Sequence, residues 1–348
     1  MTEKINAALV GFNNPHSKGW WETLRHCERI GRLVACEPNE ESPEFPEGAE
    51  KTYNTLHELL DGEDLAFALV CGRNDQSPAM GEKLLQAGIP IIIEKPVART
   101  AADIARLNQI SVDENVPWAT GFTNRYTPIA REFKDLVEGG ALGRIVSIEG
   151  RMITSSVQSR NPQHWLFDRE KAGGGILSWL AIHTIDLIRH ISGLEYRTIM
   201  GQVATLSDTD IDVEDMAAVC FAMENGAVGN VHAGYVLGQR YGDIYLAMRG
   251  TLGDAVWLMW DYDERGHCLK IQSEAAGWET VGYKEITAEP KESPGYGGSV
   301  GQQYLTHFID SAMEGQAFVT NGVDAQRAME VVEAAYRSSE TGNAVHLG

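Results

Sequence analysis

From residue 5 to residue 121 the chain alternates short apolar runs with segments of helical character, and this alternation restricts the fold more than any other feature. Residues 5–10, 32–36, 65–70, 89–93 and 118–121 read as strands; helical segments begin at Pro15, run through Met80 to Gln86, and begin again at Ala101. Strands separated by helices pair parallel with the helices on the sheet faces, so this part predicts a doubly wound α/β sheet of about six strands. After a helix containing Ile129 to Leu136 the pattern changes. Residues 145–153, 199–206, 215–221, 227–235, 243–249 and 255–260 follow with one helical interruption, from near Gly175 through His190. They predict an α+β part: one large, mostly antiparallel sheet flanked by helices. Helices over 304–313 and 324–339 complete the chain. A length of 348 residues suits two cores, divided here as 1–122 and 123–348, with a substrate expected in the cleft between domains.

Composition narrows the function classes. Hydrophobic residues at 43% and charged residues at 22% are globular values, and no apolar run approaches the length needed to cross a bilayer, which excludes a membrane protein. Met1-Thr2-Glu3-Lys4 runs into the first strand without the segments of an export signal. Cys27, Cys36, Cys71, Cys220 and Cys268 are odd in number and scattered. They predict buried free thiols in a reducing cytoplasm, not disulfides or a zinc cluster. A formal net charge of -20 opposes nucleic acid and favours a small uncharged substrate.

The chemistry-bearing residues sit at the ends of these elements. Glu94-Lys95-Pro96 follows the apolar run 89–93, placing an amine and a carboxylate at the carboxyl end of a parallel strand, the edge where open α/β sheets bind ligands. A lysine there, lowered by desolvation or a neighbouring cation, can exchange a proton with a substrate hydroxyl. Gly11-Phe12-Asn13-Asn14-Pro15-His16-Ser17 lies between strand and helix, the context of a dinucleotide fingerprint, but Asn13 and His16 occupy its second and third glycine positions. Asn13 tolerates a left-handed conformation, Asn14 suits an N-cap and Pro15 a first helical position. The helix amino terminus can therefore attract an anion, with Ser17 or Lys18 in reach, unless this is an ordinary turn. Glu37, ending the second strand, suits the two hydroxyls of an adenine ribose and repels a phosphate, which favours NAD over NADP; a solvated loop glutamate is the alternative.

Gly173-Gly174-Gly175 reads as a flexible loop leading into a helix on which Trp179, His183 and Asp186 share a face. His183 suits a bond to a substrate hydroxyl, Asp186 an orienting or sugar-binding carboxylate, and Trp179 a stack on a sugar's apolar face; a core histidine is the alternative. No second histidine or cysteine stands at ligand spacing here, so no metal is expected. Arg125, Tyr126, Trp165 and His232 each read individually as structural more than functional. Gly295-Tyr296-Gly297-Gly298 reads as a mobile surface loop, or one closing over the cleft.

Taken together, these segments resemble the glucose-fructose oxidoreductase / inositol dehydrogenase / MocA family of NAD(P)-dependent sugar oxidoreductases over nearly the whole chain. The resemblance rests on Glu94-Lys95-Pro96-Val97-Ala98, Gly121-Phe122 before Arg125-Tyr126 and Pro128, and Trp165 with Phe167-Asp168 before the triple glycine. His183 with Asp186, and Glu333-Ala334-Ala335-Tyr336-Arg337-Ser338 before Glu340-Thr341-Gly342, complete it. It implies an N-terminal Rossmann domain, NAD as cofactor, a sugar or polyol substrate, and homodimers or homotetramers built on the C-terminal sheet. It implies Lys95 and His183 as catalytic residues, a cis bond before Pro96, and Asp186, Tyr126, Trp165 and Trp179 at the substrate. It also implies a cofactor set of Gly11, Asn13, Asn14, His16, Glu37, Asn74, Glu94 and Arg125. Trp179 departs from the family by replacing an aspartate, and Ser77 by replacing a histidine. Two further activities fit the same resemblance: a redox-neutral glycosidase in which NAD is regenerated, and an inactive sugar or NAD sensor.

Overall fold

The computed structural model describes residues 4–39, 44–238, 242–260, 268–278, 283–288, 292–314 and 318–348; Met1, Thr2 and Glu3 lie outside the described residues. The first elements in chain order are β1 (Ile5–Val10), α1 (Ser17–Arg25), β2 (Ile30–Cys36), β3 (Thr52–Tyr53), α2 (Leu56–Gly62) and β4 (Phe67–Val70). Then come α3 (Ser77–Gln86), β5 (Ile91–Ile93), α4 (Ala101–Glu114), β6 (Trp118–Thr120), α5 (Pro128–Glu138), β7 (Ile145–Ser155), α6 (Arg169–Ala172) and α7 (Ile182–Ser192). The chain continues with β8 (Tyr196–Ala204), β9 (Met216–Met223), β10 (Val228–Leu237), β11 (Asp243–Gly250), β12 (Gly253–Trp260), β13 (Cys268–Ser273) and β14 (Tyr283–Thr287). It ends with α8 (Ser299–Glu314), α9 (Gly322–Thr341) and β15 (Val345–His346).

Two compact units result: Met1–Tyr126 with Pro290–Arg327, and Thr127–Glu289 with Ala328–Gly348. The division falls at 126/127, where the sequence pattern suggested 122/123, and residues 290–327 join the first unit although they follow the antiparallel strands. The reason is packing. Tyr304 and Phe308 of α8 reach the aromatic rings of Trp20 (5.8 Å) and Phe67 (5.9 Å), and the Tyr304 hydroxyl donates to the Thr120 carbonyl at 2.6 Å.

In the first unit six parallel strands run in the order β3-β2-β1-β4-β5-β6. Residues 7–10, 67–70 and 91–93 are all buried, as a parallel sheet covered on both faces requires. Strand order reverses between β1 and β4, and such a switch point opens the crevice in which doubly wound sheets bind ligands. The helix expected from Pro15 begins at Ser17 instead. Asn14 does not cap it: its Oδ1 accepts the His16 N–H at 2.9 Å, an Asx turn that delays the helix by two residues.

The second unit holds a sheet of nine strands, β14-β13-β12-β11-β7-β10-β9-β8-β15, antiparallel except where β10 runs parallel to β7. Burial alternates along β9 and β10, so one face is packed and the other open. Three of these strands, β13, β14 and β15, were not apparent as strands in the sequence. Four cysteines are buried free thiols; Cys220, expected to be buried, is exposed on β9. Among the described residues no helix is long and apolar enough to cross a membrane.

The edge of the parallel sheet carries a charge lock. Arg32 of β2 grips Glu63 with Nε at 2.8 Å and Nη2 at 2.7 Å, and the Tyr53 hydroxyl of β3 donates to the same carboxylate at 2.6 Å. The Arg32 hydrogen bonds, assisted by that of Tyr53, lower the Glu63 carboxyl from 4.5 to about 2. A depressed folded-state value stabilises the fold above the unfolded value, and that contribution is lost as pH falls through the window toward 2. Discounted for solvent around Arg32, the contribution is about 1–2 kcal/mol. Urea unfolding of the wild type and Glu63→Gln is expected to show a stability gap above pH 5 that closes between pH 4.5 and 2; a gap constant with pH refutes the assignment.

Candidate functional site

The first unit gathers its site residues at the carboxyl ends of β1, β2, β4 and β5. Gly11 follows β1 with φ +80, and a Cβ there would lie 3.0 Å from Gly72 Cα, so the turns after β1 and β4 touch. This close approach explains why the first fingerprint glycine is present while the others are not. Asn13 does not take the left-handed conformation; among the described non-glycine residues only Val97 (φ 77) and Asn115 (φ 54) do. Asn14 is buried, and its Nδ2 donor is buried without a hydrogen-bond partner. A buried donor beside a phosphate-sized turn suits an anionic oxygen of a dinucleotide.

Glu37 is not a solvated loop glutamate. It is fully buried, with Oε2 accepting the Phe12 N–H at 2.7 Å and Oε1 the Asn39 N–H at 3.1 Å. A carboxylate held at the end of β2 suits the hydroxyls of a ribose. Asn74 is buried on the loop after β4. These residues fit NAD.

Lys95 has no solvent exposure. Glu94-Lys95-Pro96-Val97 forms a reverse turn closed by the Val97 N–H on the Glu94 carbonyl at 3.1 Å, and the Lys95–Pro96 bond is cis, as the resemblance implied. Burial pushes the nearby Cys71 thiol up, the Glu94 charge adding to the effect and the Lys95 charge opposing it. Two contacts here were not foreseen from sequence: His16 Nδ1 lies 2.9 Å from Glu94 Oε1, and Trp20 Nε1 donates to Glu94 Oε2 at 2.5 Å. Gly295–Gly298 is not a mobile surface loop. Tyr296 donates its N–H to the Gly19 carbonyl at 2.9 Å and stacks on His16.

Arg125 and Tyr126 are occupied within the first unit. Arg125 Nη1 donates to the Val319 carbonyl at 2.6 Å and to Asp324, while Nη2 meets Asp324 Oδ1 at 3.1 Å. The Tyr126 hydroxyl lies 2.5 Å from His307 Nδ1, and its ring packs on Tyr304 and Phe318.

The second unit carries the remaining residues. Trp179, His183 and Asp186 are all buried. A π-helical turn over Leu177–Ala181 precedes α7, an irregularity common at functional sites and invisible to a 3.6-residue pattern. Trp165 packs edge-on against Trp179 with ring centroids 6.0 Å apart. Burial pushes the Tyr196 hydroxyl well up, the Asp186 charge adding to it, and that hydroxyl donates to the Ile185 carbonyl at 3.1 Å. His232 stands exposed on β10.

The triple glycine is packed, not flexible. Buried Glu214 accepts the N–H groups of Gly175 at 2.8 Å and Leu177 at 3.0 Å and the Tyr336 hydroxyl at 2.8 Å. Burial raises the Glu214 carboxyl, and the hydrogen bonds from Gly175 and Tyr336 oppose the rise. Glu214 escaped the sequence reading because its partners lie 39 and 122 residues away; only Tyr336, within the closing motif, hinted at it.

A dinucleotide-ready switch point, a buried lysine turn and a histidine helix over a mixed sheet define an oxidoreductase class. Comparisons agree: residues 5–122 match the oxidoreductase family with an NAD-binding Rossmann fold, and residues 130–256 match the GFO/IDH/MocA C-terminal domain. The chain belongs to the GFO/IDH/MocA family and carries an NAD-binding Rossmann fold. It is 26% identical over 275 residues to levoglucosan dehydrogenase of Pseudarthrobacter phenanthrenivorans, a match spanning 72% of this chain and 69% of that enzyme. It is 28% identical over 186 residues to myo-inositol 2-dehydrogenase of Thermotoga maritima, spanning 52% of this chain and 53% of that enzyme. A solved levoglucosan dehydrogenase in complex with NADH and levoglucosan superposes with a TM-score of 0.85 at 23% identity, covering 99% of both chains.

The Gly175 contact is directly testable. A Cβ at Gly175 would lie 1.9 Å from the Glu214 carbonyl oxygen. Gly175→Ala is expected to cost about 2–3 kcal/mol in urea unfolding and to alter the near-ultraviolet signal of the adjoining tryptophans. An unchanged midpoint contradicts the packed-loop account.

Proposed function

We propose that the protein is an NAD-dependent dehydrogenase acting on a secondary alcohol of a sugar, polyol or glycoside, with Lys95 and His183 as its acid/base pair. The complete burial of Lys95 at the carboxyl end of β5, within a domain matched as NAD-binding, carries this reading. NAD, when bound, supplies the hydride acceptor. Lys95 Nζ takes the hydroxyl proton as hydride leaves the adjacent carbon, so negative charge does not build on the oxygen. His183 holds the same oxygen and shares its proton, and Asp186 orients the histidine or accepts from a neighbouring hydroxyl. Trp179 and Trp165 present apolar rings to the apolar face of the substrate. The names of the relatives, levoglucosan dehydrogenase and myo-inositol 2-dehydrogenase, support a polyhydroxylated substrate.

The cofactor is held by Gly11, Asn13, Asn14 and His16 at the phosphates, Asn74 along its loop, Glu37 at the ribose and Glu94 toward the nicotinamide. Glu37 makes NAD the preferred form, because a ribose phosphate beside a buried carboxylate is repelled. Arg125 lies toward the cofactor and Tyr126 toward the substrate, held by their contacts with Val319, Asp324 and His307. Five free cysteines suit a reducing cytoplasm.

Lys95→Ala is expected to lower kcat roughly 100-fold to 10,000-fold while NADH binding persists. Turnover intact across a sugar and polyol panel overturns the assignment. NADH accumulating in step with product separates net oxidation from a redox-neutral reaction.

We further propose that the second unit binds substrate and assembles the protein as a homodimer or homotetramer through the open face of its sheet. Met200, 54% exposed on β8, and Val228, 60% exposed on β10, stand on that face with Cys220. Met200→Glu combined with Val228→Glu is expected to yield a smaller species by light scattering; unchanged mass refutes this face as the interface.

A further inference from the structure

The third glycine position of the dinucleotide pattern holds His16, and its surroundings give that exchange a purpose. His16 Nδ1 is 2.9 Å from one oxygen of Glu94, and Trp20 Nε1 donates to the other at 2.5 Å. A carboxylate oxygen only accepts, so His16 Nδ1 carries a proton toward it. Both oxygens of the side chain adjoining Lys95 are thus held by residues at and just inside the amino end of α1. Gly121 crowds Glu94 as well: a Cβ there would fall 2.6 Å from Oε2.

Tyr296 lies over both donors, with its ring centroid 4.4 Å from His16 and 5.0 Å from Trp20. Its N–H is shared between the Gly19 carbonyl at 2.9 Å and Thr23 Oγ1 at 2.8 Å, which seats the segment on α1. A residue some 200 positions beyond the Lys95 turn therefore closes on the two side chains that grip Glu94.

We propose that His16, Trp20 and Tyr296 form a clamp of positioning residues that fixes the Glu94 carboxylate, and with it the Lys95 turn, to the turn after β1. The proposal rests on the reading of Lys95 as the base. Glu94 closes the reverse turn through its carbonyl and anchors it through its carboxylate, so loosening the carboxylate releases the lysine's backbone. A displacement of about 1 Å in a reacting group is enough to lower a rate by up to roughly 100-fold.

The test compares Tyr296→Leu, which fills the space without an aromatic ring, with the conservative Tyr296→Phe and with His16→Gly, which restores the pattern's glycine. By hydrogen–deuterium exchange of the protein without cofactor, amides of residues 94–98 are expected to exchange about tenfold faster in Tyr296→Leu and His16→Gly, and as in the wild type in Tyr296→Phe. In single turnovers with NAD and a sugar the first two are expected to slow hydride transfer about tenfold at unchanged substrate KM, with Tyr296→Phe recovering it. A residue serving only for packing would lower Tm and leave both readouts alone, and that outcome overturns the clamp. Exchange needs no substrate. A wild type inert toward every sugar would therefore reject the dehydrogenase reading while the exchange data still decided the clamp.

Discussion

A buried carboxylate must be met by donors, because the interior does not solvate its charge, and three such groups organise this molecule. Glu37, Glu94 and Glu214 are each buried, and each draws at least one donor from a turn that carries site residues. Glu37 takes the Phe12 N–H of the turn after β1, Glu94 takes His16 and Trp20, and Glu214 takes Gly175, Leu177 and Tyr336. The same hydrogen bonds that make the charges tolerable make the turns rigid. Removing one partner would leave the other buried without compensation, which is far costlier than the pair is favourable.

This economy explains how the first unit manages with a degraded glycine fingerprint. Two glycines in the usual pattern admit phosphate and close helix packing by leaving space. Here the first glycine is kept because the turns after β1 and β4 meet at 3.0 Å, while the third position carries a side chain that bonds instead of leaving room. Asn14 contributes a buried donor at that turn and His16 reaches Glu94. Helix α1 starts late, at Ser17, because Asn14 turns the chain before it.

What was legible in the sequence follows the range of the interactions. The parallel sheet announced itself through local alternation, and Lys95 through its place behind an apolar run, because strand, turn and helix signals span only a few residues. Strands β13 to β15 were missed: Val345–His346 is only two residues long and takes its identity from pairing with Thr198 and Ile199 of β8. Glycine composition misled twice. Gly173–Gly175 and Gly295–Gly298 look flexible as strings, yet one is pinned by Glu214 and the other seats Tyr296 on α1, across separations no window contains. The contacts of Arg125 with Asp324 and the Val319 carbonyl went unread for the same long-range reason.

Trp179 shows how a departure from a family pattern becomes a statement about chemistry. An aspartate at this position would be a buried charge beside the Trp165 ring, and it would need donors of its own. The tryptophan removes that burden and extends an apolar wall. The carboxylate next in line is Asp186, one turn beyond His183 on the same helix, where its charge adds to the rise of the Tyr196 hydroxyl. On the proposed function, the edge-on Trp165–Trp179 pair favours substrates presenting an apolar face beside the alcohol to be oxidised.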